Sequence, residues 1–430
     1  MGNYYRYDAH CHIFTLKYVM KEVKSLLHDI LNRTYPWKEP KVEKGLLGST
    51  GKWKDLKNLL RQLYEIIRSS CGSEGENLDF LLDEAKKAFP NDSYRIIPLM
   101  MDVFYMLAYP LDKDEEPQML KGIKAALVDE KEFQEAWNDI LEDFTSYVQS
   151  QNTTLRSTKG GGGDVKIDQV LKIIEQEKSV KGTLTLKASG LKSADTLGFY
   201  HTEGYCYHMD KLMELVGTRS GQLYPFVAID PRRPGIIDTL LSGSFFNGDA
   251  RFYGVKLYPR MGYDPQCKPL DAVYKYCSDN SIPITYHCGM GGFPPGTDWK
   301  YTKYGNPENF EPIIKKYPKL RIDFAHMGST DDTYKWAETV NRLINENDNV
   351  YTDLSCYVST KELDPIMKRF WKDKAKLKTR LMFGTDFDVM YFTGKVTMEN
   401  YYNNFKATFT EDELKMIMHD NPMSFMGIKD

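Results

Sequence analysis

The sequence contains eight short apolar runs, rich in β-branched and aromatic residues, that end abruptly in polar side chains. They are Tyr5–His12, Tyr94–Asp102, Tyr224–Asp230, Tyr253–Tyr258, Pro283–His287, Leu320–His326, Val350–Ser355 and Leu381–Asp386. Little alternation of period two runs through them, which suits parallel strands covered on both faces rather than half-solvated ones. Helix-like segments separate the later runs, for example Pro269–Asn280 and Thr330–Asn345. Strands alternating with helices imply a parallel sheet, and eight of them imply an α/β fold closed as a (β/α)8 TIM barrel. A chain of 430 residues is the size such a barrel reaches with insertions.

The spacing of the runs is uneven. The gaps after the first and second strands far exceed an ordinary βα connection. One domain spanning residues 1–430 is expected, with long helical insertions over approximately 15–93 and 104–222. Charged amphipathic stretches such as Leu56–Arg68 and Asp129–Val148 read as helices within them. The second insertion also holds the glycine run Lys159–Asp164, a flexible loop by composition. No strand precedes that run and no GK[ST] follows it, so a phosphate-cradling role is a poor fit. Connections after the first two strands emerge at the catalytic face of a barrel, so the insertions are expected to cap it.

Charge narrows the partners. A formal net charge of −3 leaves no basic footprint for nucleic acid or an anionic membrane surface, and no apolar stretch is long enough to span a bilayer. The seven cysteines form no CxxC pair and no compact framework, which favours reduced thiols. The first residues lack the apolar run of a signal peptide. A cytoplasmic protein acting on a small molecule, with homo-oligomerisation open, is the expectation.

The chemistry sits at the strand ends. On the first strand, Asp8-Ala9-His10-Cys11-His12, residues two apart face the same side, so His10 and His12 can present their imidazoles together while Cys11 faces the helices. Asp8 shares that side and could orient a ligand from behind. The fifth strand ends at His287, the sixth at His326, and the eighth at Asp386. In a barrel these C-terminal ends converge on one mouth. Three imidazoles and a carboxylate there would suit zinc or another borderline divalent ion. Any one of these motifs alone is more often a packed or satisfied polar residue than a ligand.

The ordered set HxH, strand-five His, strand-six His and strand-eight Asp resembles the amidohydrolase superfamily. The words Asp8–His12, Gly254–Pro259, Phe324–Gly328, Phe383–Asp386 and Asp420–Ile428 resemble its amidohydrolase-2 branch, which includes the aminocarboxymuconate-semialdehyde decarboxylases. The likeness covers the first strand and most of the chain after about Tyr224, and leaves out both insertions. It implies that His10, His12, His287 and Asp386 hold one divalent metal ion, with zinc favoured, and that His326 and Asp386 carry the proton chemistry. A metal lowers the pKa of bound water towards neutrality, and an imidazole has the intrinsic pKa to polarise substrate or shuttle the proton. Some decarboxylases of the branch carry Glu in place of the first histidine of HxH; this chain keeps His10.

Lys256 stands on strand four, where other superfamily members carry a carboxylated lysine bridging two metals. It is either that bridge, with a second ion between His287 and His326, or an unmodified ammonium that packs or pairs with a substrate anion. Arg232 and Arg233 follow strand three and either clamp a substrate carboxylate or form a salt-bridged loop. Phe293 and Trp299, in the loop after His287, either cover substrate or anchor the loop. His201, His208, His28 and His419 read as packing residues. The leading expectation is a metal-dependent hydrolase acting on an ester, lactone or amide. Non-oxidative decarboxylation of a small carboxylic acid is the alternative, and a non-catalytic binding barrel is a third reading. Fold-level likeness alone does not choose among them.

Overall fold

The computed structural model describes residues 4–31, 57, 61, 73–108, 130–155, 167–178, 199, 201–293, 301–328, 334–371, 375–387 and 397–428. All eight expected strands are present: β1 (Tyr5–Cys11), β2 (Ser93–Pro98), β3 (Phe226–Ala228), β4 (Gly254–Leu257), β5 (Ile284–Tyr286), β6 (Ile322–Phe324), β7 (Val350–Asp353) and β8 (Leu381–Met382). Each is shorter than its apolar run or nearly so, because the last residues of the run leave the ladder to form the mouth. β1 pairs in parallel with β2, and β3 to β8 form a six-stranded parallel sheet in sequence order.

Backbone contacts join the two sheets at both seams. Parallel bridges Ile96–Leu223 and Leu99–Phe226 link β2 to the β3 segment. At the other seam Ala9 N–H donates to Phe383 O at 2.9 Å, and the N–H groups of Thr385 and Asp386 donate to His10 O at 3.1 and 2.7 Å. The strands thus run in order round a TIM-type barrel, as their alternation with helices implies.

Two faces of the strands carry different residues. Val227, Val255, Leu257, Ile284, Tyr286, Ile322 and Phe324 pack outward against helix residues such as Leu240, Val273, Ile314 and Val340. The alternate positions form a smaller cluster inside, with Tyr7, Ala9, Ile97, Leu99, Phe226, Tyr351 and Met382 closed off by Phe425. The register of β1 against β2 slips between Asp8 and Cys11. That bulge explains why Ala9 belongs to the inner cluster while Cys11, two residues on, belongs to the outer one.

The connections after β1 and β2 divide into two parts. The last helix of each, Glu74–Ala88 and Glu203–Thr218, contributes Leu78, Leu81, Ala85, Leu212 and Val216 to the outer core, in the position of ordinary barrel helices. Glu74–Ala88 starts cleanly because Ser73 and Glu76 form a reciprocal capping box. The helices Leu16–Leu31, Val103–Ala108, Glu130–Leu155 and Ile167–Lys178 instead share a separate apolar cluster centred on Val19, Phe104, Trp137, Ile140, Phe144 and Val170. Helix Glu130–Leu155 contains most of the expected Asp129–Val148 stretch. The glycine run 159–164 and most of 56–68 lie outside the described residues.

Candidate metal centre

The tail of β8 is bound to β1 before any ligand is considered. Buried Asp8 accepts from the Thr385 N–H at 3.1 Å and from the Thr385 hydroxyl at 2.6 Å, and also from the His10 N–H at 3.2 Å. Its carboxyl is pushed up to about 7 by burial, against the pull of those bonds. The tail also needs Gly384: a Cβ there would stand 2.7 Å from Cβ of His10. Asp8 is therefore bonded to the neighbour of Asp386, a place from which it can orient that carboxylate.

The imidazoles of the HxH pair are fixed by their Nδ1 atoms. His12 Nδ1 lies 2.7 Å from the Leu99 carbonyl, so it carries the proton and donates. His10 Nδ1 lies 2.8 Å from Oδ2 of Asp353. Both Nε2 atoms are left to face Asp386 Oδ1, at 3.5 Å from His10 and 3.1 Å from His12. The ligand atoms of His10, His12 and Asp386 lie within 4.8 Å of one another, all buried. Metal-ligating histidines commonly tie the second nitrogen to a carboxylate or carbonyl in this way. Burial, then the Lys256 charge, holds His10 down at about 3, so it is a neutral donor. Burial opposes ionisation of Asp386, yet the surrounding imidazoles of His12, His10 and His326 hold its carboxyl well below the usual range.

Asp353, at the end of β7, is a buried residue of the candidate site that reading strand ends for histidines does not single out. Its Oδ2 meets His10, while Oδ1 accepts from the N–H groups of His326 and Ser355 at 3.0 and 2.9 Å and from the Ser355 hydroxyl. Ser355 Oγ in turn lies 2.7 Å from His326 Nδ1. Because the hydroxyl donates to Asp353, it accepts from His326 Nδ1–H, and His326 Nε2 is left as the lone pair. Burial works against ionisation of Asp353, but attraction and bonding from His10, His326 and Ser355 hold its carboxyl below the usual range. The signal was available: Asp353 and Ser355 are the polar end of the seventh apolar run.

His326 and Asp386 come together with Cys356, their ligand atoms again within 4.8 Å of one another. Burial lowers the His326 imidazole against the opposing charges of Asp386 and Asp353. His287 belongs to none of the three-donor groups among the described residues. Its ring centroid is 5.2 Å from that of His326, and its Nε2 lies 3.1 Å from the Gly291 carbonyl. Tyr258 covers it, ring centroids 4.2 Å apart, and also accepts from the Phe293 N–H at 2.8 Å. Gly292, at φ 113°, permits this fold-back, since a Cβ would stand 3.0 Å from His287 Nε2.

The remaining candidates separate clearly. Lys256 is buried and its Nζ makes no hydrogen bond among the described residues; burial lowers it to about 8 despite the charges of Asp386, Asp353 and Asp323. Arg233 is fully buried and forms a bidentate pair with Asp102 at 2.9 and 2.7 Å. Arg232 pairs with Asp230 at 2.9 and 2.7 Å. Both guanidiniums are thus engaged with carboxylates of the chain itself. Phe293 is buried in the insertion cluster, where it anchors its loop. Trp299 lies outside the described residues. His208 stacks on Tyr18, His201 Nδ1 meets the Phe199 carbonyl and His419 Nδ1 meets that of Tyr5, all packing roles.

No match was found among curated proteins. Among solved structures, an uncharacterized TIM-barrel protein of Bordetella bronchiseptica is 16% identical with a TM-score of 0.41, over 68% of this chain and 92% of that one. A 5-carboxyvanillate decarboxylase of Novosphingobium aromaticivorans, complexed with manganese, is 11% identical with a TM-score of 0.40, over 55% and 74%. A probable 2-pyrone-4,6-dicarboxylic acid hydrolase of Acinetobacter baumannii is 13% identical with a TM-score of 0.40, over 51% and 78%. The sequence itself matches the amidohydrolase family model over residues 208–428, more than half of its length and the part that carries His287, His326, Asp353 and Asp386. The chain belongs to the amidohydrolase family, in its amidohydrolase-2 branch.

Proposed function

We propose that this chain is a divalent-metal-dependent hydrolase of a small-molecule ester, lactone or amide. One observation carries the reading: a single buried carboxylate, Asp353, holds a candidate ligand through His10 Nδ1 and a candidate acid–base group through Ser355 and His326. The donor set fits a divalent ion, because the Nε2 atoms of His10 and His12 converge on the Asp386 carboxylate while their Nδ1 atoms are tied elsewhere. His10, His12 and Asp386 would hold it, and His287 enters as a fourth donor on the strength of its strand-five position. This nitrogen-rich set favours zinc over magnesium or calcium. Bound there, such an ion supplies Lewis acidity toward a substrate oxygen and lowers the pKa of water.

The protein's own groups supply the rest. His326 Nε2 accepts a proton from the attacking water and returns it to the leaving group, while Nδ1–H stays fixed on Ser355. Asp353 stabilises the imidazolium formed in that interval. The insertion helices exclude water and select the substrate: their cluster takes in Phe14, Met101, Met261 and Phe293, all on loops leaving the C-terminal strand ends. Lys256 favours an anionic substrate, since a buried ammonium without a hydrogen bond can be compensated by a substrate carboxylate. The same feature favours decarboxylation as the second reading.

Elemental analysis of protein made in zinc-supplemented medium is expected to give one tightly held ion per chain, and a stoichiometry near zero overturns the site. Assays of small lactones, esters and aromatic acids then separate the reactions. Water-dependent cleavage without carbon dioxide supports hydrolysis, and carbon dioxide release replaces it with the lyase reading.

A further inference from the structure

The Asp386 carboxylate faces two sets of donors. Its Oδ1 meets Nε2 of His10 and His12, while its Oδ2 accepts from the Cys356 thiol at 2.7 Å. Cys356, His326 and Asp386 present ligand atoms within 4.8 Å of one another, a group distinct from the His10–His12–Asp386 group but sharing its carboxylate. His326 offers Nε2 there, because its Nδ1 is taken by Ser355.

Backbone conformation singles out the same three residues. His326, Cys356 and Asp386 have φ of 63°, 71° and 49°, and they are half of the six non-glycine residues with positive φ among those described. Such conformations are costly for residues with a Cβ and persist where side-chain placement matters to function. They lie at the ends of β6, β7 and β8, so the barrel itself brings them to one point.

We propose that His326, Cys356 and Asp386 form a second cation pocket, selective for a thiophilic divalent ion such as zinc or cobalt, whose occupancy opposes turnover. This rests on the reading of His326 as the acid–base group. Ligation replaces the thiol proton, which leaves to solvent, and turns the Asp386 carboxylate into a bridge between the two pockets. Sulfur and imidazole donors discriminate against magnesium and calcium, which prefer oxygen. An ion on His326 Nε2 removes the lone pair that moves the proton. The pocket therefore acts as a sensor of excess thiophilic metal built into the catalytic mouth.

Titration of the metal-free full chain with Co²⁺ tests this, with bound metal followed by equilibrium dialysis and the thiolate-to-cobalt charge-transfer band followed in the near ultraviolet. Two equivalents are expected, with the band rising only with the second. Cys356→Ser is expected to lose the band and the second equivalent and to keep the first, which also shows that the variant is folded. Cys267→Ser, altering a cysteine that belongs to none of the three-donor groups among the described residues, should keep both. In the unmodified chain the second equivalent should shield Cys356 from iodoacetamide by at least tenfold, read by peptide mapping, and turnover should fall over the same range of Co²⁺. Binding of one equivalent without the band overturns this proposal alone, as does a band that survives in Cys356→Ser. Binding of no ion overturns the metal reading above and this proposal with it.

Discussion

At the scale of single residues, Asp353 does the most with the least exposure. Replacement by Asn keeps the size of the side chain but removes the charge that fixes the tautomer of His10 and steadies His326. Asp353→Asn is expected to weaken binding of the first ion by roughly 10–100-fold, the usual cost of losing a carboxylate behind a ligating histidine. His326→Asn should lower turnover by about 10²–10⁴-fold while leaving the first equivalent bound. Metal analysis beside steady-state rates checks both, and loss of the first ion in His326→Asn contradicts the division of roles. His208 gives a pH prediction away from the centre. Burial holds its imidazole down at about 3, and its Nδ1 has no hydrogen bond among the described residues. Between the ordinary histidine value of 6.5 and about 3 the unfolded chain therefore binds a proton that the folded chain refuses. Stability is unaffected by this group above pH 6.5 and falls as pH drops below it, by up to about 1.4 kcal/mol per pH unit. His208→Phe should flatten that part of the acid-stability curve, measured by urea unfolding across pH; an unchanged slope rejects the assignment.

At the scale of elements, the strands were legible because burial on both faces writes a continuous apolar run, and eight such runs with intervening helices admit few folds. The slip between Asp8 and Cys11 was not, since register depends on the partner strand and leaves no mark in a single run. His10, His12, His326 and Asp386 could be found as polar residues where apolar runs stop. Asp353 and Cys356 stand at an equivalent place at the end of the seventh run, but a scan led by histidines passes over a run that ends without one. Nor could sequence show that Arg233, next to Arg232, turns inward to Asp102 at the end of the neighbouring strand segment. That pair ties the connection after β3 to the one after β2. Arg233→Ala leaves a buried carboxylate without its cation and should cost about 3–5 kcal/mol of stability. Arg232 is itself partly exposed, but its partner Asp230 is buried, so Arg232→Ala should cost less than Arg233→Ala, about 1–3 kcal/mol. Denaturant unfolding measures both, and an Arg233→Ala protein of unchanged stability with a raised KM would restore the substrate-clamp reading.

At the scale of the molecule, two apolar bodies share one chain. The barrel core and the insertion cluster bury different residues, and they meet through the loops that leave β1, β2, β4 and β5. Every proposed ligand lies on the barrel side of that division. Among the described residues no helix is long and apolar enough to cross a membrane. Trp137 is fully buried at the centre of the insertion cluster, far in sequence from any ligand. Removing a buried indole costs about 3–5 kcal/mol, which would be felt first by the body that contains it. Phe293 and Met261 join that body to the mouth, so loosening it should free the loops after His287 and Lys256 while leaving His10, His12 and Asp386 on their strands. Trp137→Ala is therefore expected to bind the first divalent ion as tightly as the parent protein, to raise KM by tenfold or more, and to be cut faster by trypsin within the insertions. Metal titration, steady-state kinetics and mapped proteolysis distinguish this from a general loss of stability. If the variant loses its ion in step with its KM, the insertions are part of the metal scaffold rather than a cap that selects the substrate.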